Sequence, residues 1–157
     1  MKKVLISLAG TAAAIVVLGL LSQGKLNSPK YDGEIIIDKT KFKLELADTE
    51  EERRVGLSNR EELDKDMGVL FVFETENIQP GFWMKDMKFA IDILWINDNE
   101  IVQIDNNVQP SEPGTADNEL ILYMPNQPID YVLELNAGFA NEYNIKVGDT
   151  VDLSSLQ

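Results

Sequence analysis

The chain has 157 residues, with 27 acidic side chains against 14 basic ones, and it contains neither cysteine nor histidine. The formal net charge of −13 argues against a nucleic-acid partner, because phosphate binding depends on lysine and arginine. The chain has no thiol nucleophile, disulfide or imidazole base, and a transition-metal site would lack its commonest ligands. Any chemistry must come from carboxylates, Lys, Arg, Tyr, hydroxyl groups or the backbone, and we expect no metal and no cofactor.

The first 24 residues predict a signal-anchor or a signal peptide. Lys2 and Lys3 precede 18 uncharged residues, Val4–Leu21, which as a helix would just cross a hydrocarbon core of about 30 Å. A cleaved signal peptide has a shorter apolar region and a small-x-small site, which Ser22-Gln23-Gly24 resembles poorly. We therefore predict an anchor in the cytoplasmic membrane through residues 4–21, with the globular domain outside the cytoplasm. Secretion after signal cleavage is the alternative.

The rest of the chain divides into a linker and one domain. Residues 25–33 are polar, contain Pro29 and Gly33, and predict a linker. Residues 34–157 are enough for a single globular domain with its own core.

The domain begins with a predicted β-hairpin followed by a helix. Glu34–Asp38 and Lys41–Leu46 read as two strands joined about Lys39-Thr40, with Glu45 on the charged face, opposite Phe42, Leu44 and Leu46. The sequence Thr49-Glu50-Glu51-Glu52 is a capping-box pattern, which predicts a short helix as far as about Leu57.

Further short apolar runs predict a mainly β (α+β) fold. Residues 107–118, with two prolines and a glycine, predict a loop, and Ala137–Tyr143 predicts a second helix that Asn144 ends. The predicted strands are Val69–Phe73, Phe82–Met84, Phe89–Ile96, Ile101–Ile104, Glu119–Met124, Tyr131–Leu135 and Thr150–Leu153. Eight or nine short strands and two short helices favour a curled antiparallel sheet or a small barrel, preceded by the N-terminal hydrophobic helix.

Asp92 is the most informative polar residue, because it lies in Phe89–Ile96, a run that is apolar on both faces. A buried carboxylate needs a cation or several hydrogen-bond donors. From Phe89 onward the only base is Lys146, so a cationic partner is that lysine or a residue from the first half of the chain. Asp92 is thus either a structural residue, held by an ion pair or by the backbone, or part of a polar cluster at a pocket.

Four other residues are candidates for a binding site. Trp83 lies between Phe82 and Met84, and three bulky neighbours cannot all point to one face of a strand, so it belongs to the core, to the wall of a pocket or to a partner surface. Arg53 could pair with nearby acids on an exposed surface, whereas Arg60, beyond the helix, suits bidentate binding of a carboxylate or another anion. Lys85 is a further available cation.

Several ordered blocks resemble the prokaryotic family known as domain of unknown function 192. The resemblance covers residues 34–153 and rests on LADTEEERRVGLSNREEL, MGVLFVF, FWMKDMKFAIDILWI, YVLELNAG and IKVGDTV. The family pattern matches at Glu52, Arg53, Gly56, Leu57, Arg60, Trp83, Lys85, Asp92 and Gly138, among others. Asp86-Met87 replaces its usual Asn-Thr, and Ala90-Ile91 its usual Pro-Leu. The resemblance implies a compact, mainly β domain, often exported or tethered, and it implies no agreed activity.

We expect a membrane-tethered binding or interaction module without enzymatic activity, whose ligand or protein partner the sequence does not identify. Its candidate site combines Arg53, Arg60, Trp83, Lys85 and Asp92. One alternative is a hydrolase that uses carboxylates on cell-envelope polysaccharide or peptidoglycan, with an acidic limb in its pH profile. Another is a purely structural domain in which Asp92 and its partner stabilise the fold.

Overall fold

The computed structural model describes residues 30–156, and the predicted anchor at residues 4–21 lies outside them. Within that part of the chain, no helix is both long and apolar enough to cross a membrane. Seven strands and two α-helices make up the domain, together with two 3-10 turns at Asp117–Glu119 and Ser154–Leu156. The strands are β1 (Gly33–Ile37), β2 (Thr40–Ala47), β3 (Met67–Val72), β4 (Ile91–Asn97), β5 (Glu100–Val108), β6 (Tyr131–Asn136) and β7 (Val151–Asp152). The helices are α1 (Glu50–Val55) and α2 (Phe139–Glu142).

All seven strands form one sheet in the order β5-β4-β6-β3-β2-β1-β7. The sheet curls, because its two outer strands approach each other: Glu100 of β5 is bridged to Thr150, the residue before β7. This confirms the mainly β class and the curled, barrel-like sheet. The sheet is mixed, however, because β2 and β3 run parallel while every other pair is antiparallel. Helix α1 and the segment after it form the crossover that a parallel pair requires.

Local sequence signals give the first hairpin and helix correctly. β1 and β2 pair directly from Gly33↔Leu44 to Ile37↔Thr40. The Thr49 hydroxyl accepts the N–H of Glu52, and the Glu52 carboxylate accepts the N–H of Thr49, so both bonds of the capping box are present. Asn144 has φ of 57°, as expected for the residue that ends the second helix.

Two of the predicted strands are wrong. Phe82–Met84 and Glu119–Met124 form no strands; they meet only at the isolated bridge between Phe82 and Tyr123. Both lie in long connections that cover the sheet, and Phe82, Met84 and Tyr123 pack against it from outside. Apolar content alone does not distinguish such a covering segment from a strand.

The two faces of the sheet bury two separate clusters. The concave face gathers apolar residues from all seven strands, including Leu94 of β4, around Phe139 of α2. The convex face carries Val69, Phe71 and Trp95, and it is covered by Leu57, Met84 and the long connections. The predicted alternation along β4 is confirmed, since Ile91, Ile93 and Trp95 face outward while Leu94 and Ile96 face inward. The convex face is where the candidate site lies.

Candidate functional site

Four acidic residues of the described chain are buried: Glu45, Asp92, Asp130 and Glu134. Burial of a carboxylate is costly unless hydrogen-bond donors or a cation compensate it. Asp130 illustrates full compensation, because it accepts the N–H of Asn77 at 2.8 Å and the N–H of Asp98 at 2.7 Å. The hydrogen-bond partners of Glu45, Asp92 and Glu134 show which of these acids stabilise the fold and which could belong to a binding site.

Asp92 is held by the backbone, with no cation as partner. Ile91 pairs with Val108 and Ile93 with Asp105, so a β-bulge in β5 faces Asp92. One carboxylate oxygen accepts the N–H of Asn107 at 2.8 Å, and the other accepts the N–H of Ala140 at 2.9 Å. Asp92 therefore joins the bulge to the first turn of α2, on the concave side of the sheet.

Glu45 and Arg60 form an internal ion pair. Both nitrogens of the Arg60 fork donate to the two carboxylate oxygens of Glu45, each at 2.8 Å. The predicted bidentate geometry of Arg60 is present, and the carboxylate that it binds belongs to β2 of the same chain. Glu45 lies on the face of β2 opposite Phe42 and Leu44, as predicted, but α1 and Arg60 cover that face and only 6 % of the residue is exposed.

Glu134 is the buried acid that the described chain leaves without a donor. It lies beside Val69 of β3, and Val69 lies beside Glu45 of β2, so both glutamates are on the convex face. Burial raises the pKa of the Glu134 carboxyl to about 8, and the charge of Arg60 opposes that shift. Within residues 30–156, every side-chain oxygen or nitrogen shielded from solvent has a hydrogen-bond partner. The Glu134 carboxylate has no such partner, so it keeps contact with solvent.

That contact is through a cavity of about 270 Å³ above β3 and β6. The volume lies just below the range of about 300–1,000 Å³ that is usual for small-molecule sites. One wall is α1 with the turn through Ser58, and the other is the segment Pro80–Trp83. The aromatic side chains around the cavity are Phe71, Phe73, Phe82 and Trp83. Glu134 is thus a carboxyl group at the base of an aromatic pocket.

Packing under the pocket fixes its walls. Phe82 contacts Phe71 and Trp95 edge to face, with ring centroids 4.9 and 5.5 Å apart. The Ser58 hydroxyl donates to the carbonyl of Lys85 at 2.8 Å and joins the two walls at one end. Gly56 ends α1 with φ of 48°, and a Cβ there would lie 3.1 Å from the Phe71 ring. A glycine is required here both by the backbone conformation and by the close approach of helix and ring.

Two of the five residues predicted for the site line this pocket. Arg53 donates to the carbonyls of Asp48 and Val72 at 2.5 and 2.8 Å, and its guanidinium lies 5.8 Å from the Phe73 ring centroid. Trp83, which is 44 % exposed, lies at the mouth.

The other three lie elsewhere. Arg60 lines an adjacent cleft with Glu45, on the far side of Gly56. Lys85 pairs with Asp117 at 2.5 Å, outside the pocket lining. Asp92 lies on the concave face, apart from the pocket. In the described residues, no group of acidic side chains is arranged to hold a metal ion.

Sequence reasoning missed Glu134, although a signal was present. Glu134 lies between Leu133 and Leu135 in a short apolar strand, the same pattern that singled out Asp92. The pattern identifies a buried acid, but it does not say which donors the fold brings to it. Only the tertiary structure shows that two backbone amides donate to Asp92, whereas no group among residues 30–156 donates to Glu134.

Residues 34–153, which include the whole curled sheet except Gly33 at the start of β1, match the model of a family without known function. The chain belongs to DUF192, described as an uncharacterised ACR. This confirms the resemblance seen in the sequence.

Two solved structures are similar to the chain. One is a protein from Sinorhizobium meliloti 1021, described as a candidate transcription regulator, with 29 % identity and a TM-score of 0.69 over 78 % of this chain and 94 % of that one. The other is a protein of unknown function from Novosphingobium aromaticivorans DSM 12444, with 28 % identity and a TM-score of 0.66 over 76 % of this chain and 83 % of that one. No curated protein matches the chain.

Proposed function

We propose that the protein is a small-molecule-binding module, held outside the cytoplasmic membrane by its apolar N-terminal residues, and that the aromatic pocket above Glu134 is its binding site. Enclosed apolar surface with a few polar groups is the usual composition of small-molecule sites. Trp83 at the mouth and Phe73 on the wall supply the apolar contact. The pocket is already open in the structure, between α1, the sheet and the segment Pro80–Trp83.

The unpartnered carboxyl group of Glu134 carries the proposal. Residues 30–156 supply donors to Glu45, Asp92 and Asp130, all buried, but none to Glu134. A polar group in that position gains more from a ligand than from water, because the surrounding aromatic rings exclude most solvent. The arrangement suits a ligand with an apolar body and one polar end that meets Glu134.

A fragment screen by NMR tests the proposal. Isotope-labelled full-length protein is titrated with a panel of small aromatic fragments, and we expect the backbone amide signals of Gly56–Ser58 and Gly81–Trp83, and the indole N–H signal of Trp83, to shift together. The shifts should be lost in Trp83→Ala and kept in Tyr31→Ala, which removes an exposed aromatic ring outside the pocket. Fragment shifts that survive Trp83→Ala unchanged would exclude this pocket as the binding site.

The proposed tether is tested separately. In intact cells, the domain should be cut by added protease only after the outer permeability barrier is opened, and the full-length protein should stay in the membrane fraction after alkaline extraction. Replacing Ile15 and Val16 with arginine should release it, because a charge at the centre of a spanning helix costs about 2.5–3.5 kcal/mol. Protection of the domain in opened cells with an intact inner membrane would contradict the proposed location.

A carboxylate hydrolase is the second candidate, favoured by the pKa of about 8 at Glu134, since a general acid must keep its proton near neutral pH. The second carboxylate that such chemistry needs would be Glu50 at the rim of the pocket. Release of reducing ends from peptidoglycan, lost in Glu134→Gln and in Glu50→Gln, would support it. Equal release by the wild type and both variants would reject it.

A further inference from the structure

Most charged side chains around the pocket have a partner. Arg60 is matched by Glu45 at 2.8 Å, and Arg54 by Glu51 at 2.6 Å. Arg53 is bound by two backbone carbonyls, and Glu50 lies one turn before it at the same rim. Within the described chain, Glu134 is then the buried charged residue of the pocket lining that has neither an ion pair nor a hydrogen bond, and it carries a negative charge once the pH exceeds its pKa of about 8.

The surrounding groups favour a positive partner. The faces of aromatic rings attract cations, and the Arg53 guanidinium beside Phe73 already uses one of them. Residues 25–157 carry 12 bases against 27 acids, so the field of the whole domain draws cations toward its surface. An anionic ligand, in contrast, would be repelled both by the negative field of the domain and by the Glu134 carboxylate.

We propose, on the basis of the pocket assigned above, that the ligand is a small organic cation, an ammonium group on an apolar body, whose N–H groups donate to Glu134 while the body packs against Phe73 and Trp83. The ammonium would supply the donors that the fold withholds from this carboxylate. Charge-assisted hydrogen bonds of this kind are about twice as strong as neutral ones.

Three probes with one skeleton and different charges test the inference. Phenethylamine, 2-phenylethanol and phenylacetate are titrated into labelled full-length protein at pH 8.5, where the amine is protonated and Glu134 is mostly ionised. We expect phenethylamine to shift the pocket signals with an affinity at least about tenfold above that of 2-phenylethanol, and phenylacetate to bind most weakly. In Glu134→Gln the preference of the amine over the alcohol should vanish, while Glu76→Gln, an exposed acid outside the pocket, should keep it.

The outcomes separate this inference from the proposed function. If 2-phenylethanol or phenylacetate binds the same pocket as tightly as phenethylamine, the ligand is not a cation, and the pocket remains a binding site. If the amine preference persists in Glu134→Gln, Glu134 is not the group that recognises the charge, and the inference is overturned. If neither these probes nor the fragment panel shifts the pocket signals, the proposed function fails together with it. Glu134→Gln removes a buried charge, so the variant is expected to remain folded at this pH.

Discussion

Replacing Glu134 with glutamine should flatten one part of the pH dependence of stability. Burial raises the pKa of this carboxyl from 4.5 to about 8 in the folded protein, while the unfolded chain keeps the ordinary value. Between these pH values the folded protein holds a proton that the unfolded chain has released. The free energy of unfolding therefore falls as pH rises through this interval, and the stabilisation is complete only below pH 4.5. Glutamine is neutral throughout and nearly the same size, so it removes this dependence.

The size of this change in the free energy of unfolding follows from the difference between the pKa values of Glu134 in the folded and unfolded states. A difference of about 3.5 pH units, at about 1.4 kcal/mol per unit, sets an upper limit of about 5 kcal/mol. The wild type should thus be less stable than Glu134→Gln at pH 9 by up to that amount, relative to their difference at pH 4.5. Most of the carboxyls whose pKa is lowered, such as Glu52 and Asp66, are exposed and lose their contribution only as pH falls below about 4. They are common to both proteins and cancel in the comparison.

The assay is urea unfolding at half-unit steps from pH 4.5 to 9, followed by circular dichroism, for the wild type, Glu134→Gln and the control Glu76→Gln. Glu76 is exposed, and its replacement should leave the wild-type curve unchanged in shape. The difference between wild type and Glu134→Gln should grow steadily from pH 5 to 8 and then level off. Parallel curves over that range would refute the reasoning, because they would show that Glu134 titrates as an ordinary exposed acid.

Three further substitutions test the partners of the buried groups. Asp92→Asn replaces one of two acceptor oxygens with a donor group, and should lower the free energy of unfolding in urea by about 1–3 kcal/mol without changing fragment binding. A loss of only about 0.3 kcal/mol would show that the hydrogen bonds from Asn107 and Ala140 to this side chain do not stabilise the fold. Arg60→Ala leaves Glu45 buried and unpaired, and should lower the free energy of unfolding in urea by about 2–3 kcal/mol. The loss is smaller than for a fully buried pair because 36 % of the arginine side chain is exposed. The double variant Arg60→Ala/Glu45→Gln should recover part of this stability. Gly56→Ala should cost about 1–3 kcal/mol by thermal unfolding, since its φ of 48° and the Phe71 ring at 3.1 Å both oppose a side chain.

The parts of the fold that local patterns determine could be predicted from the sequence. The capping box at Thr49, the first hairpin and the alternation along β4 each depend on residues a few positions apart. The parallel pairing of β2 with β3 could not be predicted in this way, because it depends on how the crossover through α1 packs against the sheet. The same holds for Phe82, whose aromatic neighbours suggest a strand until Phe71 and Trp95 are seen to hold it from outside the sheet.

In the candidate site, too, local patterns in the sequence predict some features, while others depend on the tertiary structure. Periodicity places Glu45 on the outer face of β2, correctly, but it does not show that α1 and Arg60 cover that face. A single acid within a short apolar strand occurs at both Asp92 and Glu134, so the sequence pattern does not distinguish the two residues. The deciding quantity is the supply of donors, and the amides of Asn107 and Ala140 are 15 and 48 residues away from Asp92 in the chain. No pattern within a single strand contains that information.

The contrast among the four buried acids also suggests a reason for an acidic residue at position 134. The fold gives Glu45 a guanidinium and gives Asp92 and Asp130 two amides each, so it is able to satisfy buried acids where they stabilise the domain. The described part of the chain provides no donor at Glu134, and the cost of that burial grows as pH rises toward 8. A bound ligand that supplies the missing donors would explain why a residue that destabilises the ligand-free protein is present. Functional sites commonly lower stability in this way. Glu134→Gln should therefore move stability and amine selectivity in opposite directions, and a variant that gained the first without losing the second would separate Glu134 from any binding role.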